Sequence, residues 1–513
     1  MTREFFPSKP TLPVILLGSL GLWLGFPNDI LVCPFLVLFW PVALLILSDR
    51  ASSPKEAFLS AWISTFLGTS FALYWLRLPI QDVGGLPFLF ALGCALFVSA
   101  ILSLQGAFFS FILRFFTHSN FFAKALFAAL LWGALELLAS VLFGFPWLPL
   151  TGALIVEPIT VQVAELIGMF STSALWVLIV SLFLLPLLHA PKKVLLTAPV
   201  ALLLFAALMI FSSMRLNATS HNASPSLEVL FVEGNVDQNQ KWIPSLQEET
   251  VDHYIRLTLE GLSKKEGHHP FILWSETCMP FFFERNQHFA KRIRDLASDT
   301  QCLLLFGAPA EERRGYESLI FNRATLLSPN GATLGIYDKE HLVPFGEYSP
   351  AFLNFSFLEP LLQGVGIYSE GENNGPLTYE NMRAGMLICY EGIFPWLAQK
   401  RVSEGANILI DISNDSWFQD TPASLQHLYL TCLRAIEQNR FILRATNSGI
   451  SAVIDTRGRI LIHGPLFEEG SFFAHASLEE ETSFFHRTWI AQAVFLSLLF
   501  LGLGYTGLAK KKN

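Results

Sequence analysis

Charged residues are scarce in this sequence, and their scarcity limits the classes of protein that it can encode. Of the 513 residues only 15% are Asp, Glu, Lys or Arg, whereas 52% are hydrophobic and 47 are phenylalanine. An ordinary soluble protein carries about 25% charged residues. The shortfall excludes a disordered chain and a nucleic-acid-binding protein, because both depend on a high density of charge. It also excludes a simple soluble enzyme.

Several well-known functional motifs are also missing. The six cysteines show no spacing typical of a disulfide framework or a zinc site, and the twelve histidines show no metal-ligand pattern. The sequence contains no HExxH, no GxSxG and no Walker loop. It therefore predicts no zinc protease, serine hydrolase or P-loop nucleotide-binding protein, and we expect no metal and no organic cofactor.

Long apolar runs account for much of the composition. The run over 30–48 lacks the polar stripe that a helix of a soluble protein carries. About 20 apolar residues suffice to cross a bilayer, so we predict a polytopic α-helical membrane domain with about eight spans. No small-residue cleavage site follows the first run, which predicts an uncleaved first span. The runs lie near 10–26, 30–48, 57–77, 86–113, 125–148, 160–189, 194–214 and 489–507.

The few charges are unevenly distributed along the chain. Residues 1–214 hold 9 Lys/Arg and 8 Asp/Glu, whereas the remaining residues hold 25 basic and 34 acidic ones. Basic residues mark cytoplasmic loops, and those of the first part occur in alternate loops apart from Arg77. This pattern predicts that both termini are cytoplasmic and that 215–488 lies outside the cytoplasm. The basic residues that set the orientation are Arg3, Lys9, Arg50, Lys55, Arg114, Lys124, Lys192 and Lys193, with Lys510, Lys511 and Lys512 at the end.

The pattern divides the chain into four parts. Residues 1–214 form the membrane domain with seven spans, and the polar stretch 215–226 is a linker. In 227–484, short apolar, β-branched runs alternate with amphipathic stretches, which is typical of an α/β domain. Residues 485–513 contain the eighth span and a basic tail.

Three positions in the α/β part could carry chemistry, and each also has an ordinary structural explanation. Glu276 ends an apolar strand, where it could also cap the next element. Lys339 follows a strand and precedes a Pro- and Gly-containing loop with Glu347, although most lysines are solvated surface groups. Cys389 ends another strand before a helix, a setting that resembles an exposed nucleophile elbow, although most such cysteines are inert core residues.

The ordered set Glu276, Lys339 and Cys389 is a stronger signal than any member alone. A thiol with a pKa of about 8.5 is a poor nucleophile until a base removes its proton. A carboxylate can accept that proton, and an ammonium can stabilise the thiolate and the oxyanion that follows. The set therefore favours nucleophilic catalysis by cysteine.

These residues and the sequence words around them resemble the nitrilase (carbon–nitrogen hydrolase) superfamily. With the flanking apolar runs, nearly the whole chain looks like a member of the apolipoprotein N-acyltransferase family of Gram-negative inner membranes. The most specific words are Gly144–Leu148, Gly234–Asn235 through Lys241–Trp242, Leu342–Glu347, Cys389–Glu391, Asn414–Phe418, Arg434–Glu437 and Arg444–Asn447.

The resemblance implies a nitrilase-like αββα sandwich and a role for each member of the set. Glu276 matches the family's general base, Lys339 its oxyanion-stabilising lysine and Cys389 its nucleophile. Six further residues match positions that the family places around the pocket, namely Trp242, Asn322, Glu347, Tyr390, Glu391 and Trp417.

The resemblance also implies the reaction and its place in the cell. The sn-1 acyl chain of a phospholipid, typically phosphatidylethanolamine, passes through a Cys389 thioester to the α-amino group of a diacylglyceryl-cysteine on an apolipoprotein. Ping-pong kinetics and a catalytic domain on the periplasmic side of the bacterial inner membrane follow from it. A membrane-tethered amidase or nitrilase-type hydrolase would use the same three residues, and a non-enzymatic lipoprotein-binding scaffold is the third alternative.

Some positions depart from the family pattern. Ser275 replaces the usual Pro before the catalytic Glu, and Gln419 replaces a Gly. Glu136 matches a membrane carboxylate of the family, but its usual Arg neighbour is Ala139 here. A carboxylate within a span needs a partner or a polar cavity, and the roles of Glu136 and Glu165 stay open. The apolar stretch 352–362 is either a lipid-contacting arm or a helix packed on its own domain.

Overall fold

The computed structural model of the chain describes residues 11–82, 84–116, 120–189, 191–218, 225–265, 267–315, 317–349, 368–372 and 375–509. The apolar stretch 352–362, for which an arm is one interpretation, lies outside these residues.

Helices are the regular secondary structure of the described residues of the first part of the chain, and no strand occurs among them. Every predicted apolar run contains a helix, and short 3-10 turns join several of them. The helices are α1 (Leu12–Gly25), α2 (Phe39–Arg50), α3 (Pro54–Ala72), α4 (Arg77–Asp82), α5 (Phe88–Leu102), α6 (Leu104–Leu113), α7 (Phe121–Phe143), α8 (Leu150–Leu154), α9 (Ala164–His189) and α10 (Val194–Asn217).

Five helical segments of the described residues are long and apolar enough to cross a membrane. A sixth candidate combines Pro54–Ala72 with Tyr74–Asp82, which meet at a bend of 61°. The remaining predicted runs hold α1, of 14 residues, and α2, of 12 residues, so both helices are shorter than the roughly 20 residues of a straight span. The multi-helix membrane domain is thus confirmed, and the number eight stays a prediction. The five segments are Phe88–Phe116, Phe121–Phe143, Ala164–His189, Pro191–Asn217 and Phe484–Gly502.

The α/β part contains two six-stranded sheets. Their strand orders are β12-β1-β2-β3-β4-β5 and β11-β10-β9-β8-β7-β6, with parallel pairing at the centre of each. The strands are β1 (Ser226–Glu233), β2 (Phe271–Leu273), β3 (Leu304–Arg314), β4 (Glu317–Leu327), β5 (Thr333–Asp338), β6 (Leu377–Tyr379), β7 (Met382–Ile388), β8 (Ile408–Ser413), β9 (Ile442–Thr446), β10 (Ala452–Ile454), β11 (Ile460–His463) and β12 (Gly470–Ser477). The helices are α11 (Gln238–Lys241), α12 (Gln247–Ser263), α13 (Gln287–Thr300), α14 (Pro395–Ser403), α15 (Ala423–Gln438) and α16 (Phe484–Ala509).

The two sheets form the inner layers of an αββα sandwich. One apolar cluster fills the space between the sheets, where Phe231 and Leu305 meet Met386 and Ile410. A second cluster packs α12 and α13 on the outer face of the first sheet. The third cluster covers the outer face of the second sheet with α14 and α15 and continues without interruption into the membrane domain. The layer α14/α15 therefore joins the two domains.

Gln426 of α15 is inserted into the membrane domain. Its Oε1 accepts hydrogen bonds from the indole N–H groups of Trp75, at 3.1 Å, and Trp147, at 2.7 Å. Its Nε2 donates to the backbone carbonyls of Pro27, at 3.0 Å, and Ala72, at 3.2 Å. One buried amide thus satisfies four polar groups of the other domain, which fixes how the catalytic domain sits on the bundle.

The structure gives each membrane carboxylate its partners. Glu136 is 2% exposed, and its Oε1 accepts from the indole of Trp132 at 2.7 Å and the backbone N–H of Leu150 at 2.8 Å. Glu165 forms an ion pair with Arg215 at the end of α10. Glu136 therefore holds the start of α8, directly after the word Gly144–Leu148, and Glu165 holds the last span before β1.

Candidate active site

The ends of three strands bring the predicted catalytic residues together. Glu276 lies three residues after β2, Lys339 directly after β5 and Cys389 directly after β7. β2 and β7 are parallel to their central neighbours, and β5 runs in the direction of β3 because two antiparallel steps separate them. All three side chains therefore project from carboxyl ends of strands, the edge at which α/β folds place their active groups.

A buried polar network joins Glu276 and Lys339. Asn322 on β4 donates from Nδ2 to Glu276 Oε1 at 2.7 Å and to Glu347 Oε1 at 3.0 Å. The Lys339 ammonium lies 2.9 Å from Glu347 Oε1 and 3.5 Å from Glu276 Oε1. The other oxygen of Glu347 accepts from the backbone N–H of Val343 at 2.8 Å. Two carboxylates thus fix one ammonium between them.

Cys389 occupies a strained turn. Its φ of +54° lies in the left-handed region, which is uncommon for a residue with a β-carbon. The 3-10 turn Cys389–Ile393 follows at once and leads into α14 through Pro395. Strain of this kind persists only where the surrounding structure holds it in place, and it concentrates at functional sites.

The carboxylate of Glu391 supplies part of that support. It accepts one shared hydrogen bond from the Tyr337 hydroxyl, which lies 2.9 and 3.1 Å from its two oxygens, and another from the backbone N–H of Ile388 at 2.8 Å. It also accepts from the backbone N–H groups of Glu340, at 2.8 Å, and His341, at 2.9 Å. One buried side chain therefore ties the loop that carries the lysine to the turn that carries the nucleophile.

A second network lies behind the nucleophile, and sequence reasoning assigned it no role. His427 Nε2 lies 3.1 Å from the backbone carbonyl of Cys389, so Nε2 carries the hydrogen, because a carbonyl can only accept. The Asp415 carboxylate accepts from Ser413 at 2.8 Å and from Arg444 at 3.0 Å, and it lies 3.1 Å from His427 Nδ1. Asp415 and Arg444 fall within the family words, but nothing in the sequence singled out His427.

This network is an ion-pair cluster, although its ligand types would also suit a metal. The thiol of Cys389, a carboxylate oxygen of Asp415 and a ring nitrogen of His427 lie within 4.8 Å of one another. The Arg444 guanidinium already holds that carboxylate and lies 3.0 Å from the His427 ring. A cation would have to displace this positive charge, so the donor set does not fit a metal ion.

Burial and charge set the protonation states of the catalytic groups. Burial raises the pKa of the Cys389 thiol well above its ordinary value, and the charge of Glu276 adds to the rise while Lys339 opposes it. Burial also raises the pKa of Glu276, against the effect of Lys339. Burial acts to lower the pKa of Lys339, but Glu347 and Glu276 outweigh it, so its pKa lies well above its ordinary value. The site therefore holds a neutral thiol beside a permanent ammonium.

Comparison with known proteins assigns both halves of the chain. The model "Apolipoprotein N-acyltransferase N-terminal domain" matches residues 18–182, and the model "Carbon-nitrogen hydrolase" matches residues 248–484. The apolipoprotein N-acyltransferase of Geobacter metallireducens is 33% identical over 91% of this chain and 89% of its own. The chain belongs to the apolipoprotein N-acyltransferase family. Two further relatives carry the same name. The one from Pseudomonas syringae pv. tomato is 30% identical over 85% of this chain and 86% of its own. The one from Haemophilus influenzae is 29% identical over 89% of this chain and 86% of its own.

The six further residues singled out by the family resemblance fall into three groups. Asn322, Glu347 and Glu391 belong to the buried networks described above. The Tyr390 hydroxyl donates to the backbone carbonyl of Gly144, in the membrane domain. Trp242 and Trp417 lie further out: the Trp242 side chain is 43% exposed, and Trp417 lines an open cleft of about 450 Å³.

Two of the departures from the family pattern leave the Glu276 carboxylate in place. The Ser275 hydroxyl lies 3.1 Å from the Tyr254 hydroxyl, and its backbone carbonyl accepts from the N–H of Gly307 at 3.1 Å. Gln419 has a φ of +51°, a conformation that favours the family's Gly. Its side chain donates to Asp82 on α4, which gives this chain a further contact between its two domains.

Proposed function

We propose that this chain transfers an acyl chain from a phospholipid, through a thioester on Cys389, to the α-amino group of a diacylglyceryl-cysteine at the N-terminus of an apolipoprotein. One observation carries the proposal: the buried Glu276 and Lys339 and the half-buried Cys389 lie together at the sheet ends, and the turn that carries Cys389 is hydrogen-bonded to the membrane domain. Family membership supports the same conclusion.

In the first half-reaction the thiol proton passes to Glu276 as the sulfur attacks the sn-1 ester carbonyl. Because the thiol is neutral at rest, a nearby base is needed at the moment of bond formation, and Glu276 is the carboxylate whose charge acts most strongly on this thiol. The tetrahedral oxyanion forms beside Lys339. Collapse breaks the ester C–O bond, Glu276 returns the proton to the leaving alkoxide, and lysophospholipid departs.

The surroundings of Lys339 allow it to stabilise the oxyanion. Its ammonium is 1% exposed and is held by Glu347 and Glu276, so it stays charged and fixed before the substrate arrives. A charge placed in advance in a site that excludes water costs no reorganisation during the reaction. Lys339 therefore favours the charged intermediate over the neutral ester.

In the second half-reaction the acceptor amine attacks the thioester carbonyl. Glu276 takes a proton from the attacking nitrogen, the C–S bond breaks, and the thiolate of Cys389 recovers a proton from Glu276. The products are an amide and the free enzyme, so atoms and charges balance. The two substrates use one site in turn, and ping-pong kinetics follow.

The position of the site suits substrates that cannot leave a bilayer. Each buried CH₂ of an acyl chain stabilises membrane association by about 0.8 kcal/mol, so donor and acceptor both stay at the membrane. The direct bond between Tyr390 and Gly144 places the nucleophile turn against the membrane domain. We place the catalytic domain on the periplasmic side and both termini in the cytoplasm, because the basic loop residues alternate along the chain.

A labelling experiment with the full-length protein tests this proposal. Membranes are incubated with phospholipid labelled in its sn-1 chain and a diacylated lipopeptide, using wild type, Cys389→Ala and the control Cys302→Ala. Cys302 is buried between the first sheet and α13, so its removal leaves the site intact. We expect a labelled thioester, lysophospholipid and N-acylated peptide in wild type and control, and none of them in Cys389→Ala.

Other outcomes would contradict the proposal. Free fatty acid without acylated peptide would identify a hydrolase, in which water replaces the amine. Turnover that does not depend on Cys389 would exclude the thioester, and no turnover of any kind would indicate a lipoprotein-binding scaffold.

A further inference from the structure

Lys241 is a buried lysine that the proposed mechanism does not use. It ends α11, directly before the exposed Trp242, and its side chain is 1% exposed. Its ammonium donates to the Thr277 hydroxyl at 2.8 Å and to the backbone carbonyl of Glu276 at 3.4 Å. Both acceptors are neutral, and within the described residues this ammonium forms no ion pair. Burial of a charge without a directly paired carboxylate is costly, so a structural role alone accounts poorly for it.

The turn that Lys241 holds is strained. Thr277 has a φ of +42°, in the left-handed region, where a β-branched residue is a genuine outlier. Gly307 passes so close to this turn that a β-carbon on it would lie 2.5 Å from the Thr277 nitrogen. Strain at one residue persists only where its neighbours fix it. The two hydrogen bonds of Lys241 fix both sides of the peptide that joins Glu276 to Thr277.

We propose that Lys241 is a positioning residue for the general base: its buried ammonium fixes the strained Glu276–Thr277 turn and supplies a second positive charge behind the Glu276 carboxylate. This inference rests on the proposed function, because it assigns Lys241 a role through Glu276. Lys339 contacts the Glu276 carboxylate directly, whereas Lys241 donates to the backbone carbonyl of Glu276.

The charges around Glu276 show why a second ammonium matters. Glu347 contacts the same Lys339 nitrogen as Glu276, and its negative charge raises the pKa of Glu276. One positive charge is therefore shared by two carboxylates. The base must nevertheless be ionised in order to accept the thiol proton. Lys241 adds the positive charge that the shared pair lacks. The titratable groups that face this pair of residues are Lys339, Glu347, Cys389, Tyr368 and Cys278.

The electrostatics of the two residues agree with this geometry. Burial raises the pKa of Glu276, and the charge of Lys241 acts in the opposite direction. Burial lowers the pKa of Lys241 to about 8, against the effect of Glu276 and Cys278. Lys241 is therefore charged at neutral pH and loses its charge just above it.

The pH profile of thioester formation tests the inference. Full-length protein in detergent is mixed with phospholipid labelled in its sn-1 chain. Single-turnover labelling of Cys389 is then measured from about pH 5 to about pH 9, the range in which perturbed carboxyl and ammonium groups titrate. Four forms of the protein are compared. The forms are wild type, Lys241→Met, Lys241→Arg and Thr277→Val. Thermal unfolding of each form checks that it is folded.

Removal of the Lys241 charge should shift the acidic limb of the pH profile of labelling. The rate rises as Glu276 loses its proton, so a higher pKa of the base moves the midpoint to higher pH. We expect Lys241→Met to raise the midpoint by about one pH unit and to slow labelling about tenfold below it. The difference should shrink above pH 8, where wild type loses the same charge. Lys241→Arg should restore the midpoint, and Thr277→Val should slow labelling a few-fold with the midpoint unchanged.

A second measurement separates this inference from the proposed function. The infrared band of the protonated Glu276 carboxyl, assigned with Glu276→Gln, is titrated in wild type and Lys241→Met without substrate. A higher midpoint in the variant supports the role of Lys241 even if no thioester forms, in which case only the proposed function fails. An unchanged midpoint in this titration, or an equal loss of labelling rate at every pH, would overturn the inference.

Discussion

The hydroxyl of Tyr390 donates a hydrogen bond to the backbone carbonyl of Gly144. Tyr390 directly follows Cys389, and Gly144 directly follows α7 and begins the word Gly144–Leu148. The Tyr390 ring also contacts His341 and Phe394, at 5.8 and 4.9 Å between ring centroids. Tyr390 therefore connects the turn that carries Cys389 to the α/β domain through its ring and to the membrane domain through its hydroxyl.

Tyr390→Phe removes the hydrogen bond to Gly144 and keeps the ring contacts with His341 and Phe394. We expect thioester formation from phospholipid to fall about tenfold and the protein to lose about 1 kcal/mol of stability, the contribution of one buried hydrogen bond. Alkylation of Cys389 by a small water-soluble reagent should change less than twofold, because the thiol itself stays in place. Labelling by phospholipid at the wild-type rate would show that the bond does not matter for lipid use.

Gln426 makes the broader contact between the domains, and Gln426→Leu should weaken it. The change leaves two indole N–H groups and two carbonyls without their partner, at roughly 1–3 kcal/mol for each group that water cannot reach. We expect a lower unfolding temperature in detergent and increased proteolysis between the domains. Gln419→Ala, which removes one exposed contact with Asp82, is the matched control and should change neither by much.

Most of the fold could be predicted from local patterns. Continuous apolar runs and alternating charges predicted the membrane domain. Nine strands lie where short apolar, β-branched runs predict them, near 227–232, 271–275, 302–306, 318–327, 384–389, 407–412, 441–445, 450–454 and 459–463. β5 was expected only as the strand that precedes Lys339. β6 and β12 were not expected, because Leu377–Tyr379 is only three residues long and Gly470–Ser477 mixes polar and apolar residues at the margin of the first sheet. Their pairing depends on neighbouring strands, which a local pattern does not contain.

The candidate site likewise contains residues that the sequence could predict and residues that it could not. Glu276, Lys339 and Cys389 could be proposed because each was expected at the end of a strand and together they match a family. The role of His427 could not, since it depends on a contact between a helix and the carbonyl of a residue 38 positions earlier. Lys241 was part of a family word, yet only the strained turn at Thr277 indicates what its ammonium does.

Glu276 and Glu347 share one ammonium but should respond differently to the same substitution. Glu276→Gln removes the base and should slow thioester formation by about 10²–10⁴-fold, the usual contribution of general base catalysis. Glu347→Gln keeps the base and an oxygen near Lys339, so we expect a loss of about tenfold or less. Single-turnover labelling of Cys389 measures both, and equal losses would contradict the assignment of Glu276 as the base.

Glu233 should make the stability of the protein depend on pH. It is 2% exposed on β1, one oxygen accepts from the N–H of Ser451 at 3.3 Å, and the other has no hydrogen-bond partner among the described residues. Burial raises its pKa from 4.5 to about 7. The folded state then holds a proton that the unfolded state has released between these values, so stability should fall as pH rises from 4.5 to 7.

Glu233→Gln tests that dependence because it keeps the shape of the side chain and removes the titration. A rise from 4.5 to about 7 is about 2.5 pKa units and corresponds to about 3 kcal/mol, so at about pH 7.5 the variant should be more stable than wild type by roughly 1–3 kcal/mol. At pH 4.5 the two should unfold at the same temperature, since Glu233 is then protonated in the folded protein. Thermal unfolding across this range measures the difference, and a constant offset at every pH would show that Glu233 does not titrate on unfolding.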